Sequence, residues 1–115
     1  MALRSVVAPD PALYDFWREG EAFSYSIPVP NGKWTVTIHS FEPRTITPEG
    51  LTMTVKANGA VVLPAFSVKQ AAGGPLKGVA RTFPVKVKEG ILKLEFVGTG
   101  GSAVVAAIEV TQQVR

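Results

Sequence analysis

Between residues 23 and 39, apolar and polar side chains alternate one for one on both sides of a Pro-Asn-Gly turn. Phe23, Tyr25, Ile27 and Val29 alternate with Ser24, Ser26, Pro28 and Pro30. Past the turn, Trp34, Val36 and Ile38 alternate with Thr35, Thr37 and His39. A two-residue period in β-branched and aromatic residues puts one face of a strand in a core and leaves the other wet. Asn31-Gly32 accepts the positive φ angles of a type I′ turn, so the spacing predicts strand, tight turn, strand. Pro28 and Pro30 donate nothing to a ladder, which puts the first strand at an edge or has it pair through its other side.

The same period runs on through the chain. Leu51, Met53, Val55 and Ala57 alternate with Thr52, Thr54 and Lys56, and Asn58-Gly59 turns that strand back at Ala60. Phe83, Val85 and Val87 alternate with Pro84, Lys86 and Lys88, and Glu89-Gly90 leads into Leu92, Leu94 and Phe96. Residues 103–110 read as a closing strand. Residues 43–50, 71–75 and 98–102 are loops by their proline and glycine content, the last two mobile ones. Residues 13–20 are bounded by Pro11 and Gly20 and make a poor isolated helix. Residues 1–12 form an extended lead-in. Eight or nine short strands, with turn signals about every ten residues and no convincing helix, predict an all-β, antiparallel sandwich of jelly-roll type. At 115 residues the chain is expected to be a single domain.

Composition removes several chemistries. The chain has one histidine and no cysteine, so disulfides, thiolate nucleophiles and zinc or copper sites of ordinary ligand count are not expected. His39 lies mid-strand on the side of Thr35, Thr37 and Phe41, where a structural role is expected. Asp10, Asp15, Glu19 and Glu21 crowd one end without forming an ordered carboxylate pair. The sequence at 98–102 is not a phosphate-cradling loop, since it matches neither glycine pattern and leads into a strand. No catalysis and no cofactor are expected. Charge is uneven: residues 1–50 carry four basic and six acidic groups, residues 51–115 eight and three. Such asymmetry marks a surface for an acidic partner, or Lys86, Lys88 and Lys93 are the wet sides of amphipathic strands.

The motifs also resemble a family. An aromatic-rich strand, the turn Val29-Pro30-Asn31-Gly32 and a strand ending in Phe41-Glu42 follow one another as in malectin and malectin-like carbohydrate-binding modules. Leu13, Tyr14 and Arg18 upstream continue the resemblance. So do residues 51–59 (LTMTVKANG), 83–96 (FPVKVKEGILKLEF) and 105–110 (VAAIEV) downstream. The resemblance implies a β-sandwich, an extended rather than helical segment at 13–20, and sugar binding at a loop edge. The family's ligand-holding positions fall here on Glu19, on Arg44 and Thr45, and near Gly101, and none has the family's residue type. The scaffold is therefore expected to be shared and malectin's own disaccharide specificity is not.

Sugars are held by aromatic faces with a few polar groups reading hydroxyls. Phe23, Tyr25, Trp34, Phe83 and Phe96 fall on core parities. Tyr14 and Trp17 lie outside regular strands, where platform and core plug stay open. The candidate ligand-binding residues are Trp17, Glu19, Arg44 and Tyr14. Two functions are consistent with these residues: a non-catalytic carbohydrate-binding module with a rebuilt edge, or a structural or assembly module that decorates a virion, filament or multidomain enzyme. Expected partners are an oligosaccharide or polysaccharide, and a second copy or a parent assembly, with neither nucleic acid nor membrane. The chain shows no signal peptide, and an extracellular or exported assembly is the favoured location.

Overall fold

A computed structural model describes residues 18–42, 51–74 and 77–113. In chain order the elements are β1 (Arg18–Gly20), β2 (Ala22–Pro28), β3 (Gly32–Ser40), β4 (Thr52–Ala57), β5 (Ala60–Phe66), α1 (Val68–Ala72), β6 (Val79–Val87), β7 (Ile91–Thr99), β8 (Ala103–Val105) and β9 (Ala107–Gln112). Neighbouring strands pair antiparallel throughout. One sheet has the order β2-β7-β4-β5, a second β6-β3-β9, and β1 pairs with β8 beside them. This is the β-sandwich that the alternation predicts, with nine strands among the described residues.

The core lies between the two larger sheets and is built from the alternating apolar positions. Trp34, Val36, Ile38, Phe83, Val85 and Val87 enter from one sheet, and Phe23, Met53, Val55, Leu92, Leu94 and Phe96 from the other. Leu92, Leu94, Phe96, Val36 and Val55 are fully buried. Each such side chain contributes about 1.5–3 kcal/mol through the apolar surface it removes from water. Phe23 stacks on Phe96 with ring centroids 5.0 Å apart, and Tyr25 meets both rings edge-on at 6.1 Å.

Several expectations need correction. β2 and β3 do not pair: β2 bonds to β7 and β3 to β6 and β9, so Asn31-Gly32 carries the chain from one sheet to the other. Asn31 is not at positive φ, and Gly32 has φ 144°, so the turn is not type I′. The side chain of Asn31 is used instead, its Oδ1 accepting from the Gly90 N–H at 2.8 Å. A true two-residue hairpin turn stands at Asn58-Gly59, where φ is 47° and 85° and Ala57 pairs with Ala60.

Residues 68–72 form a helix where none was expected. Ser67 caps it, its Oγ accepting from the Gln70 N–H, and Gly73 ends it in the left-handed conformation at φ 87°. Phe41, expected on the wet side of its strand, is fully buried because β3 ends at Ser40 and the chain turns into the interior. The extended segment expected at 13–20 appears as β1 over its described part, Arg18–Gly20. The lead-in at 1–12 and the loop at 43–50 lie outside the described residues.

Candidate functional site

At the edge where β3 ends and β4 begins, the described residues enclose a cleft of about 300 Å³, counting the solvent in its mouth. Four segments supply its lining. Phe41 and Glu42 leave β3, Leu51 to Met53 enter β4, Phe66, Val68 and Lys69 run from β5 into α1, Ser102 precedes β8 and Val104 lies within it. The walls are mostly apolar, and Glu42, Lys69 and Ser102 put a carboxylate, an ammonium and a hydroxyl among them.

Local chemistry holds each segment in place. The Ser40 Oγ–H donates to the Val104 carbonyl at 2.5 Å, and the Ala106 N–H donates to the His39 carbonyl at 2.7 Å, tying β8 to the end of β3. The expected loop at 98–102 is shorter, since Gly98 and Thr99 end β7, and residues 100–102 fold back so tightly that a Cβ on Gly98 would collide with the Gly101 carbonyl oxygen. Only glycine fits there. A Cβ on Gly101 would come within 3.0 Å of Leu51, so the loop packs on the cleft wall. On the far side, Met53 faces Phe66 and Val55 faces Leu63, which leaves one extra residue in β5. The extra residue is accommodated by Ala65 at φ 39°, whose N–H donates to Thr54 Oγ1 at 3.3 Å. This bulge sets the angle at which Phe66 meets the cleft. The Arg81 guanidinium lies 5.0 Å from the Phe66 ring centroid and covers its other face.

Glu42 is the feature that sequence reading missed. It is only 3% exposed, and a buried carboxylate is costly unless the site satisfies it. Its position continues the buried phase of Trp34, Val36, Ile38 and Ser40, so the signal is a carboxylate at a core parity beside Phe41, whose own burial runs against that parity. Of the residues singled out in sequence, Glu19 stands in β1 directly opposite Val104, a lining residue of the cleft, and is itself exposed. Trp17, Tyr14 and Arg44 lie outside the described residues. Trp34 is in the core, with its Nε1–H donating to the Pro30 carbonyl at 2.9 Å. Arg18 sits 4.8 Å over Phe23 and 5.3 Å over Tyr25. His39 is on the opposite sheet face from the core and bonds Glu109 Oε1 through Nε2 at 2.5 Å. Among the described residues no three His, Asp or Glu side chains converge as a metal site would require, and no helix is long and apolar enough to cross a membrane.

An antiparallel sandwich with a mixed apolar and polar cleft among its loops defines a binding module. The Malectin domain family profile matches residues 2–113, and the chain belongs to that family of carbohydrate-binding modules. No curated protein matches it. Among solved structures it is similar to Bacteroides uniformis beta-glucuronidase 2, with 16% identity and a TM-score of 0.83 over 98% of this chain and 13% of that one. It is also similar to the plant receptor FER in complex with the peptide RALF23 and LLG2, at 25% identity and TM-score 0.75, over 96% and 32%. The ANX1 ectodomain from Arabidopsis thaliana matches at 20% identity and TM-score 0.73, over 95% and 32%. The chain thus spans 13% of the glucuronidase and about a third of each plant ectodomain.

Proposed function

We propose that this domain is a non-catalytic carbohydrate-binding module whose ligand enters the loop-edge cleft, an edge built from residues different from malectin's own. The observation that carries this is the composition of the cleft. Apolar walls from Phe41, Leu51 and Phe66 suit the C–H face of a sugar ring, and Glu42, Lys69 and Ser102 suit its hydroxyls. Glu19 stands opposite the lining residue Val104, and Trp17, Tyr14 and Arg44, close in sequence to β1 and to the end of β3, remain the other candidate ligand-binding residues. The non-catalytic reading is supported by a single histidine that is engaged with Glu109 away from the cleft, and by the absence of cysteine. An extracellular setting fits the plant relatives, which are receptor ectodomains.

A neutral-oligosaccharide array followed by titration of the best binder tests the reading. Glu42→Gln, Phe66→Ala and Trp17→Ala are each expected to weaken binding at least tenfold, about 1.4 kcal/mol. Trp17→Ala is expected to leave the melting temperature nearly unchanged. No glycan bound by the parent domain, or unchanged affinity in all three variants, ends the carbohydrate reading. Protein–protein contact is the second reading, favoured by the FER structure, in which a related fold is solved with a peptide and a second protein. A module of that kind would bind no array glycan and would hold a partner through the same edge.

A further inference from the structure

The opposite end of the sandwich carries four lysines and one unusual register. Directly across the β3–β6 ladder, Lys33 faces Lys86. Like charges placed opposite each other cost stability in a sheet. Lys88 follows on the same face as Lys86, since both alternate with the buried Val85 and Val87. An open depression of roughly 980 Å³, counting its solvent, is lined there by Asn58, Lys86, Lys88, Glu89, Ile91 and Lys93. Glu89 is the acidic group among those lining residues. Lys33, Lys86, Lys88 and Lys93 are all exposed, and among the described residues none of them is held in an ion pair. Ile91 is 48% exposed in the middle of this charge.

The backbone beneath the lysines is fixed from two sides. Gly90 donates to Asn31 Oδ1 at 2.8 Å and accepts from the Val29 N–H at 3.1 Å. Asn58 Oδ1 accepts from the Lys93 N–H at 2.7 Å, and its Nδ2 donates to the Ile91 carbonyl at 3.2 Å. Two asparagine side chains therefore hold the 88–93 segment against its neighbouring turns. The backbone that carries Ile91 and Lys93 thus loses little freedom when an anion arrives.

We propose that this end is a second binding surface, distinct from the loop-edge cleft and independent of its reading, and that its ligand is an acidic polysaccharide. Lys86, Lys88 and Lys93 hold its anionic groups, and Ile91 packs on the C–H face of a ring between them. That combination favours a charged sugar over a nucleic acid. Among the described residues the lining has no aromatic ring on which a base could stack and no guanidinium fork for a phosphate. Lysine ammonium groups act instead as point charges that accept carboxylate or sulfate alike.

The test uses the full chain titrated with alginate (carboxylates), dextran sulfate (sulfates), neutral dextran and a short DNA duplex. The parent is expected to bind one or both acidic polysaccharides, with affinity falling as salt rises, while any binding of neutral dextran is expected to be insensitive to salt and to the lysine substitutions. Lys86→Gln/Lys88→Gln/Lys93→Gln is expected to lose at least tenfold in affinity while its melting temperature holds or rises, because the opposed lysine pair is relieved. Ile91→Ser is expected to weaken polysaccharide binding several-fold without changing its salt dependence. Glu42→Gln at the other edge is expected to leave it unchanged, which separates failure here from failure of the cleft. No acidic polysaccharide bound at low salt, or a triple variant that binds like the parent, overturns the proposal. So does DNA bound as tightly as the polysaccharides with Ile91→Ser silent, which would be a non-specific cationic face.

Discussion

Trp34 combines two roles that can be pulled apart by substitution. Its ring is buried among Val36, Phe83 and Val85, and its indole N–H satisfies the Pro30 carbonyl where the chain crosses between sheets. Trp34→Ala is expected to cost about 3–5 kcal/mol through the cavity it opens, a large share of a small domain's stability. Trp34→Phe keeps most of the packing and loses the hydrogen bond, so it is expected to cost about 1 kcal/mol beyond any repacking. Chemical denaturation of the three proteins checks both figures, and equal losses for the two variants would mean that the hydrogen bond dominates. Parity reads Trp34 directly, because it shares the phase of Val36 and Ile38, and it leaves Trp17, outside any regular strand pattern, open between platform and core plug. Glu42 falls in the phase of Trp34 as well, but a carboxylate at a core position is not read as buried from sequence, because its burial is costly unless the site satisfies it.

Among the turns, two Asn-Gly pairs read alike in sequence and fold differently. At 58–59 both residues take positive φ and the flanking strands pair; at 31–32 only Gly32 does, and the strands part into different sheets. Composition of the dipeptide is common to both. The difference lies in the flanking strands: prolines at 28 and 30 deny β2 donors, and β7 and β6 offer better partners than β2 and β3 offer each other. Gly59→Val is expected to cost roughly 1–2 kcal/mol from backbone strain alone, because nothing lies within 4 Å of its Cβ position. Gly32→Val carries comparable strain, and its Cβ meets the flexible end of Gln112 at an ordinary contact distance of 3.4 Å, so its melting temperature is expected to fall by a similar amount. A melting temperature unchanged in either variant would show that the positive φ is not enforced there. The helix at 68–72 escapes sequence reading because five residues show no period, although Ser67 and Gly73 mark its two ends.

At the scale of the molecule, alternation makes the sandwich legible but not which strands are partners, because every apolar face in the chain suits the same core. Pairing then decides where edges are left. β2 and β5 bound one sheet, β6 and β9 the other. Three of these four contain a proline, Pro28, Pro64 and Pro84, which blunts an edge against further pairing, and β5 also bulges at Ala65. Ala107–Gln112 in β9 contains none. If the chain associates with a second copy through its sheets, the distribution of prolines directs that contact to β9, and we propose residues 1–11 of the other copy as the segment that adds to it. We predict a mass above that of one chain by light scattering for the parent. Deleting residues 2–10 removes the added strand, and Thr111→Lys places a charge on the receiving edge without touching the core. Both changes are expected to return the mass to one chain with little change in melting temperature. A parent already at that mass, or a deletion that leaves an oligomer intact, removes the idea and assigns any assembly to a surface other than the β9 edge.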